Sequence, residues 1–421
     1  MAGKSDLTIS PRKGQGRESL TTGGVNRRTP SDRILSVKRS PFYSILEIAK
    51  NYKDVIYLNI GEPDFATPRH IVEAGKKALE EGYTHYAGDR GDSELRAAIS
   101  ERLKSDIDVS YDSGTEVLVT AGVQAALFSA VMATINPGDE VIVFNPHYPP
   151  YVVDVKLAGG IPVFVETKSE KGFIPEAARV EEKITDRTKG IIMCSPNNPS
   201  GAVYSPECID GVASLAKSHN LLVFSDEVYS RIVYAGARHY SIASLPGMKD
   251  RTFVMNGASK PYAMTGWRVG YLAGPEEFVA QILKTHHSVN IAANSVAQRA
   301  FLEALRGPQD CVREFVKEFD RRRRFMAGAL NSIQGVDCNL PEGAFYLFPS
   351  VSDLGQTSQE LAEFFVREAR VVATPGIGFG VEGRIRFSYA ANLQSIEVAM
   401  KRIRKAVTRL PRRGGRSIVS S

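Results

Sequence analysis

The first candidate for chemistry is a lysine that follows a predicted strand. Lys260 lies in the segment Gly-Ala-Ser-Lys-Pro at residues 257–261, just after the apolar run Thr252–Asn256. A lysine held among small residues there can be partly desolvated, which lowers its pKa and frees the amine to form a Schiff base. Eight residues on, Arg268 offers a guanidinium that suits a phosphate. A surface lysine and arginine in a Gly-rich loop are an equal alternative when the segment is taken alone.

A carboxylate ends the preceding predicted strand. Asp226 follows the apolar run Leu221–Ser225, and Tyr229 comes three residues later. A buried carboxylate needs a charged or donating partner, and a protonated ring nitrogen of a ligand would serve. Tyr229 could then reach a hydroxyl on the same ring. A helix N-cap role for Asp226 is an equal alternative.

A Pro-Asn-Asn-Pro segment follows another predicted strand. It occupies residues 196–199, directly after Gly190–Cys194 and Ser195. It exposes the amide of Asn198 at the carboxyl end of the sheet, where ligands of open α/β sheets bind. Taken alone, the segment is explained more simply as a turn chosen for its Asn and Pro content.

A glycine turn and a group of aromatic residues complete one side of the candidate site. Gly122 separates the predicted strand Val117–Thr120 from the predicted helix Val123–Thr134, a geometry that presents backbone N–H groups to an anion. Tyr148, in the aromatic segment at residues 145–151, could set its ring against a planar ligand. Packing is the ordinary explanation for such a tyrosine.

Two arginines lie on a late predicted strand. Arg384 and Arg386 face the same side of the run Arg384–Ser388, because side chains alternate with a period of two. One of them, facing a pocket, could grip a carboxylate with two hydrogen bonds. A charge at the edge of a sheet is the alternative for either.

The elements that position these residues alternate between apolar runs and amphipathic segments. This alternation indicates an α/β layer with a mostly parallel, buried sheet. The predicted strands are Val117–Thr120, Glu140–Phe144, Gly190–Cys194, Leu221–Ser225, Thr252–Asn256 and Val269–Ala273. The predicted helices are Ser93–Lys104, Val123–Thr134, Pro206–His219 and Pro275–Lys284.

After about residue 295 the pattern changes to that of a smaller α+β domain. The predicted helices there are Ser295–Leu305, Asp310–Ile333, one near Ser358–Glu368, and Ser395–Leu410. The 421 residues favour two domains of unequal size. The predicted organisation is a disordered basic tail (1–30), a segment that packs on the small domain (31–60), a large domain (61–295), the small domain (296–410) and a second basic tail (411–421).

The charge distribution argues against nucleic acid as a partner. Residues 1–30 carry six Lys/Arg and two Asp/Glu, and residues 401–421 carry eight Lys/Arg and no acid, so the rest of the chain is net negative despite the overall +6. A basic face interleaved with aromatic residues would be needed to bind nucleic acid. The sequence has no apolar stretch of membrane-spanning length and no metal-type spacing among its four cysteines. A cytoplasmic protein with reduced thiols and no membrane partner is expected.

Together, the order and spacing of these segments resemble the class I and II aminotransferases among the fold-type-I pyridoxal phosphate enzymes. The resemblance runs from about residue 34 to 410, and the segment from Lys260 to Arg268 is its most specific part. It implies a large domain with a mostly parallel, seven-stranded sheet sandwiched by helices. It also implies pyridoxal 5'-phosphate as cofactor and transfer of the α-amino group of an L-amino acid to a 2-oxo acid by a ping-pong mechanism.

The resemblance implies a role for each candidate residue. Lys260 would carry the cofactor as a Schiff base and shuttle the proton, and Asp226 would pair with the pyridinium nitrogen. The other cofactor contacts would come from Asn198, Tyr229, Tyr148, Arg268, Ser259 and the backbone of Gly122, Val123 and Gln124. Arg386 would clamp the substrate carboxylate beside Asn198 and the backbone of Gly61. Tyr86 would reach the phosphate of a neighbouring subunit, which implies at least a homodimer.

Two positions depart from the family's pattern. Many relatives carry a phosphate-binding serine three residues before the lysine, where this chain has Gly257, and Ser259 could substitute for it. Some relatives that prefer acidic substrates have a lysine in place of Gln124. Its absence, with Phe42 and Tyr43 near the expected substrate entrance, favours a neutral or aromatic substrate side chain.

Other functions of the same fold remain as alternatives. One is a carbon–sulfur β-lyase or another enzyme that gives the bound substrate a different fate, such as cyclopropane synthesis. The other is a non-catalytic regulator that retains the cofactor, which the complete set of residues and the absence of a helix-turn-helix segment before residue 34 disfavour.

Overall fold

A seven-stranded sheet lies at the centre of the larger part of the molecule. The computed structural model describes residues 29–37 and 41–410, so the predicted tails lie outside the described residues apart from 29 and 30. The strands of this sheet are β2 (Val117–Thr120), β3 (Glu140–Asn145), β4 (Ile161–Glu166), β5 (Thr188–Cys194), β6 (Leu222–Asp226), β7 (Thr252–Gly257) and β8 (Gly270–Ala273). Their order is β2-β8-β7-β6-β5-β3-β4. The α/β fold with a mostly parallel sheet is confirmed.

Six of these strands coincide with the predicted ones to within two residues at each end, and β4 was not predicted. It lies at the edge of the sheet and leaves several of its residues exposed, so it lacks the continuous apolar run of the buried strands. Only β8 runs in the direction opposite to the other six strands. The carboxyl ends of β2, β5, β6 and β7 therefore lie along one edge of the sheet.

Helices cover the seven-stranded sheet and also contribute to the second part of the molecule. In chain order they are α1 (Asp32–Leu35), α2 (Pro41–Ala49), α3 (Arg69–Glu80), α4 (Ser93–Ile107), α5 (Val123–Thr134), α6 (Pro150–Leu157), α7 (Ala177–Glu181), α8 (Pro206–Ser218), α9 (Glu276–Asn290), α10 (Ser295–Arg306), α11 (Asp310–Asn331), α12 (Ser358–Phe364) and α13 (Leu393–Val407). Helix α5 is mostly apolar and buried, packing beneath the sheet against α9 and α6. None of the helices in the described residues has the length and apolar character needed to cross a membrane.

Two small sheets form the second part of the molecule. The strands β1 (Ile56–Tyr57) and β10 (Val371–Val372) pair in parallel, and β12 (Ile385–Ser388) lies between β11 (Thr374–Pro375) and β9 (Tyr346–Leu347). Their core is continuous with buried residues of the N-terminal segment, among them Ile45, Ala49 and Leu58. The chain before residue 60 thus packs against strands and helices more than 280 residues away.

Candidate active site

The predicted residues converge on one edge of the seven-stranded sheet. Asn198 follows β5, Asp226 ends β6, Lys260 follows β7 and Arg268 precedes β8. Strands that run in the same direction present their carboxyl ends together, so residues from distant positions meet there.

The Lys260 amine is enclosed at this edge. Its Nζ donates a hydrogen bond to the carbonyl oxygen of Gly61 at 2.5 Å. It lies 6.0 Å from the ring centroid of Tyr229 and 5.9 Å from that of Phe345. Burial lowers the pKa of Lys260 to about 8, because desolvation penalises the charged amine, although the carboxylate of Glu62 opposes this shift. A larger fraction of neutral, nucleophilic amine therefore exists near neutral pH than for an ordinary lysine.

The Asp226 carboxylate is buried and bound by two donors. The hydroxyl of Tyr151 donates to its Oδ2 at 2.7 Å, and the backbone N–H of Val228 donates to its Oδ1 at 3.2 Å. Burial raises the pKa of Asp226, while the Tyr151 hydrogen bond and nearby Lys260 lower it. Asp226 is the last residue of a strand and no helix begins after it, so the N-cap alternative is wrong. Among the described residues no cation forms an ion pair with it, which suits a protonated ring nitrogen.

Tyr229 meets a second buried tyrosine that the sequence did not single out. The hydroxyls of Tyr229 and Tyr346 are 2.7 Å apart, and their rings meet edge to face. Tyr346 lies in the apolar run around β9. The one signal in the sequence is a tyrosine within an apolar run, because a tyrosine that is buried there needs a hydrogen-bond partner for its hydroxyl.

Arg386 is buried without a counter-ion. Its Nη1 donates to Asn198 Oδ1 at 2.8 Å and its Nη2 donates to the carbonyl of Asn59 at 2.6 Å. Its Nε is buried with no hydrogen-bond partner. The guanidinium carbon lies over the rings of Tyr346 and Phe379, at 4.5 and 4.7 Å from their centroids. A buried charge of this kind favours binding of an anion.

The Gly122 turn and Arg268 form a cradle for an anion. Gly122 has a φ of +87° and precedes α5, and a Cβ built on it would lie 2.9 Å from Nη2 of Arg268. The N–H of Gly122 donates to the carbonyl of Thr120 at 2.8 Å. The amides of Val123 and Gln124, in the first turn of α5, have no intrahelical acceptor and remain for an anion.

The structure explains the glycine in the lysine segment. A Cβ on Gly257 would lie 2.7 Å from the Cα of Gly270, because β7 and β8 approach closely there. A serine could therefore occupy position 257 only if the backbone shifted. Ser259 is buried beside Lys260, and its carbonyl accepts a hydrogen bond from the N–H of Met264 at 3.1 Å.

The side chain of Gln124 is held by a buried carboxylate. Its Nε2 donates to Asp154 Oδ2 at 2.9 Å, and its Oε1 is buried without a partner. Burial raises the pKa of Asp154 to about 7, with the Gln124 hydrogen bond opposing the shift. Asp154 was not predicted, since a single Asp in a short helix gives no sequence signal.

Two aromatic groups border the site. Tyr148 meets Tyr151 edge to face at 5.5 Å, and burial raises the pKa of Tyr148 to about 12. Helix α2, which carries Phe42 and Tyr43, packs against the turn Gly376–Phe379. That turn supplies the ring of Phe379 that covers Arg386.

Tyr86 lies apart from the other candidates. Its side chain is 82% exposed and lines a surface pocket of about 210 Å³ with Tyr83, Ser295 and Gln298. Within the described residues, no hydrogen bond or ring contact joins Tyr86 to the other predicted site residues.

The assembled residues fit pyridoxal phosphate. A desolvated lysine, a buried carboxylate without an ion pair, and a glycine cradle beside an arginine are the groups needed to hold an aldehyde, a pyridine nitrogen and a phosphate. Fold and site together define a fold-type-I enzyme of the pyridoxal phosphate class.

Comparisons with known proteins agree with this class. The family described as "Aminotransferase class I and II" matches residues 53–403. The chain is 40% identical to an aspartate aminotransferase of Pyrococcus abyssi, covering 90% of this chain and 98% of that protein. It is 39% identical to aromatic-amino-acid aminotransferase 2 of Thermococcus litoralis, again covering 90% and 98%. The solved structure of the aspartate aminotransferase from Rhizobium meliloti superposes with a TM-score of 0.88 at 36% identity, covering 91% of this chain and 100% of that one.

The chain therefore belongs to the class I and II aminotransferases, and it is an enzyme that transfers amino groups. Enzymes of this family depend on pyridoxal phosphate. The relatives named here differ in their named substrates, aspartate in two of them and aromatic amino acids in the third.

Proposed function

We propose that this aminotransferase holds pyridoxal phosphate as a Schiff base on Lys260 and moves the α-amino group of an L-amino acid to a 2-oxo acid by a ping-pong mechanism. One observation carries the proposal. The amine of Lys260 binds the carbonyl of Gly61, and the guanidinium of Arg386 binds the carbonyl of Asn59, two residues away. A nucleophilic amine and a buried cation thus bind the same short stretch of backbone, one for the substrate's α-carbon and one for its carboxylate.

The sheet edge would hold the cofactor. When bound, pyridoxal phosphate supplies an electron sink for the bond pair released at the substrate's α-carbon. Asp226 would keep the ring nitrogen protonated, and Asn198 and Tyr229 would bind the ring hydroxyl. The ring would lie against Tyr148. Arg268 and the amides of Val123 and Gln124 would hold the phosphate, with Ser259 as an additional candidate.

Arg386 and Lys260 would act on the substrate. The substrate carboxylate would provide the counter-ion that Arg386 lacks, next to Asn198 and the backbone at Gly61. This orients the α-carbon towards Lys260. As a neutral base, which its lowered pKa favours, Lys260 Nζ would take the α-proton. The same groups serve the 2-oxo acid in the second half of the reaction.

The contact of Gln124 with Asp154 supports a neutral or aromatic substrate side chain. Gln124 stands where some relatives of acidic preference have a lysine. Here its amide is bound to Asp154, so a carboxylate lies behind it. An acidic substrate side chain beside Gln124 would meet the negative charge of Asp154.

Three further expectations belong to the same proposal. The enzyme would act as a homodimer in which the exposed Tyr86 reaches the partner's phosphate. Its large domain would span residues 61–295, and its small domain would span 296–410 with 31–60 packed on it. It would work in the cytoplasm on small amino and oxo acids, without nucleic acid or membrane partners.

Replacement of the lysine tests the central claim. The variant Lys260→Ala should lose the visible absorbance of bound cofactor and at least about 10⁴-fold in activity, because both the anchor and the base are gone. Lys284→Ala, at an exposed lysine of α9, is the matched control and should keep both. Retention of both properties by Lys260→Ala would refute the proposal.

A donor panel without and with an acceptor separates the alternatives. Asp, Glu, Ala, Leu, Phe and Tyr are each incubated with the holoenzyme, first alone and then with 2-oxoglutarate. An aminotransferase gives one equivalent of oxo acid alone and sustained turnover with the acceptor. Sustained release of ammonia without an acceptor would instead identify a lyase. A strong preference for Asp would contradict the interpretation of Gln124.

A further inference from the structure

Tyr346 contacts both Tyr229 and Arg386. Its hydroxyl lies 2.7 Å from that of Tyr229, and its ring lies 4.5 Å beneath the guanidinium of Arg386. It pairs with Ser388 across β9 and β12, two positions along β12 from Arg386. Its side chain is 1% exposed. A buried hydroxyl in such a place needs a specific partner, and that partner is Tyr229.

The position of the Tyr346 hydroxyl is closely fixed. A Cβ built on Gly61 would lie 2.1 Å from the oxygen of Tyr346, so the backbone of Gly61 packs directly on it. The charged and titratable groups around Tyr346 include Arg386, Tyr229, Tyr148, Cys194 and Asp226. Burial raises the pKa of Tyr346, and Arg386 opposes this. Tyr346 is therefore a neutral hydroxyl, with one proton to donate.

The direction of the hydrogen bond follows from what Tyr229 has to do. Each tyrosine hydroxyl carries one proton and can also accept. If Tyr229 gives its proton to the ring hydroxyl of the cofactor, its oxygen is left to accept from Tyr346. Hydrogen bonds in such a chain strengthen one another.

We propose that Tyr346 is a positioning residue of the reaction, which acts through Tyr229 by donating to its phenolic oxygen and so directing the proton of Tyr229 at the cofactor. This rests on the proposed function. The Tyr346 hydroxyl makes Tyr229 a stronger donor, which stabilises negative charge on the ring oxygen. That in turn favours the unprotonated form of the imine on Lys260. The ring of Tyr346, by contrast, supports Arg386 and does not depend on the hydroxyl.

The hydroxyl is tested with Tyr346→Phe in the cofactor-loaded enzyme. Titration of the cofactor absorbance with pH should show the apparent pKa of the Lys260 imine raised by about half to one unit, the size expected of one hydrogen bond. In a Tyr229→Phe background the same substitution should add no further shift, because the effect passes through Tyr229. No shift in the single variant, or an equal shift in both backgrounds, would overturn the proposal.

Tyr234→Phe is the matched control. Tyr234 is a buried tyrosine of the same core whose hydroxyl donates to the backbone carbonyl of Ala344 and not to Tyr229. This variant should leave the imine pKa unchanged. A shift like that of Tyr346→Phe would mean that loss of any buried hydroxyl has the effect, and the proposal would fail.

Steady-state kinetics separate the ring from the hydroxyl. Tyr346→Phe keeps the ring under Arg386, so kcat should fall several-fold while KM for the amino acid changes less than about twofold. Tyr346→Leu removes the ring and should raise KM as well. Equal KM increases in both variants would contradict the assigned roles. Absence of any cofactor absorbance in the unmodified enzyme would refute the proposed function, whereas normal absorbance without a shift would refute only the role of Tyr346.

Discussion

The two halves of the site are built in different ways. The edge of the seven-stranded sheet supplies Lys260, Asp226 and the Gly122 turn from the ends of strands that are fixed by backbone pairing. The opposite half consists of Arg386, Tyr346 and the backbone of residues 59–61, which belong to strands of two to four residues and to an irregular segment.

The halves also differ in how their charges are satisfied. On the sheet side the carboxylate of Asp226 accepts two hydrogen bonds. Burial lowers the pKa of Lys260, so part of the lysine is neutral near neutral pH and does not bear the cost of a buried charge. On the other side Arg386 stays charged and buried, with neutral acceptors and an unpartnered Nε. In the proposed function, the sheet side is organised in advance for the cofactor, whereas the other side is organised for an anion that arrives with each substrate.

Among the changes that test this comparison, the largest effect is expected in the half that contains Arg386. Arg386→Lys keeps the charge but loses the planar fork, so kcat/KM should fall about 100-fold through weaker carboxylate binding. Cofactor absorbance should be retained, because the sheet half is intact. Arg384→Lys is the control: Arg384 donates to the carbonyl of Phe348 outside the site, and kcat/KM should stay within about threefold. Equal losses in the two variants would contradict the comparison.

The next effect tests the rigidity of the sheet half. Gly257→Ser should lower the free energy of unfolding by about 1–3 kcal/mol, because its Cβ would lie 2.7 Å from the Cα of Gly270. Denaturant unfolding of the cofactor-free protein measures this. Gly266→Ser is the control, since a Cβ there meets nothing within 4 Å. A Gly257→Ser protein as stable as the control would show that β7 and β8 can separate without cost.

A smaller effect concerns the carboxylate behind Gln124. Burial raises the pKa of Asp154 to about 7, so this group gains its negative charge as the pH rises through neutral. Discrimination against acidic donors should therefore weaken below pH 7, by roughly tenfold once the carboxyl is protonated. The ratio of kcat/KM for Asp and Leu, followed against pH, measures this. In Asp154→Asn the pH dependence of the ratio should vanish. If it persisted, a group other than Asp154 would carry the negative charge that disfavours acidic donors.

The smallest effect concerns the lysine itself. Because burial lowers the pKa of Lys260 to about 8, the neutral amine should increase from about a tenth at pH 7 to about half at pH 8. The rate at which cofactor-free protein captures pyridoxal phosphate should rise about fivefold over that range, about twofold more between pH 8 and 9, and then level off. An increase that continued to pH 10 would indicate an ordinary exposed lysine.

Much of the sheet half could be predicted from the sequence. Buried parallel strands are continuous apolar runs bounded by turn residues, so their ends, and with them Asn198, Asp226 and Lys260, are visible locally. The edge strand β4 was missed because half of it faces solvent. The hydrogen bond from the Gly122 N–H to the Thr120 carbonyl was not predicted either, since it depends on the detailed geometry of the turn.

The sequence by itself determined the class of chemistry, through a lysine, a carboxylate and an arginine placed at the ends of recognisable elements. Only the tertiary structure decided which groups complete the site: Tyr346 beside Tyr229, Asp154 behind Gln124, and Asn59 against Arg386. The physical reason is the range of the interactions. Strand and turn patterns are set by neighbouring residues, whereas the contact of Asn59 with Arg386 joins positions 327 residues apart, through packing that no local pattern encodes.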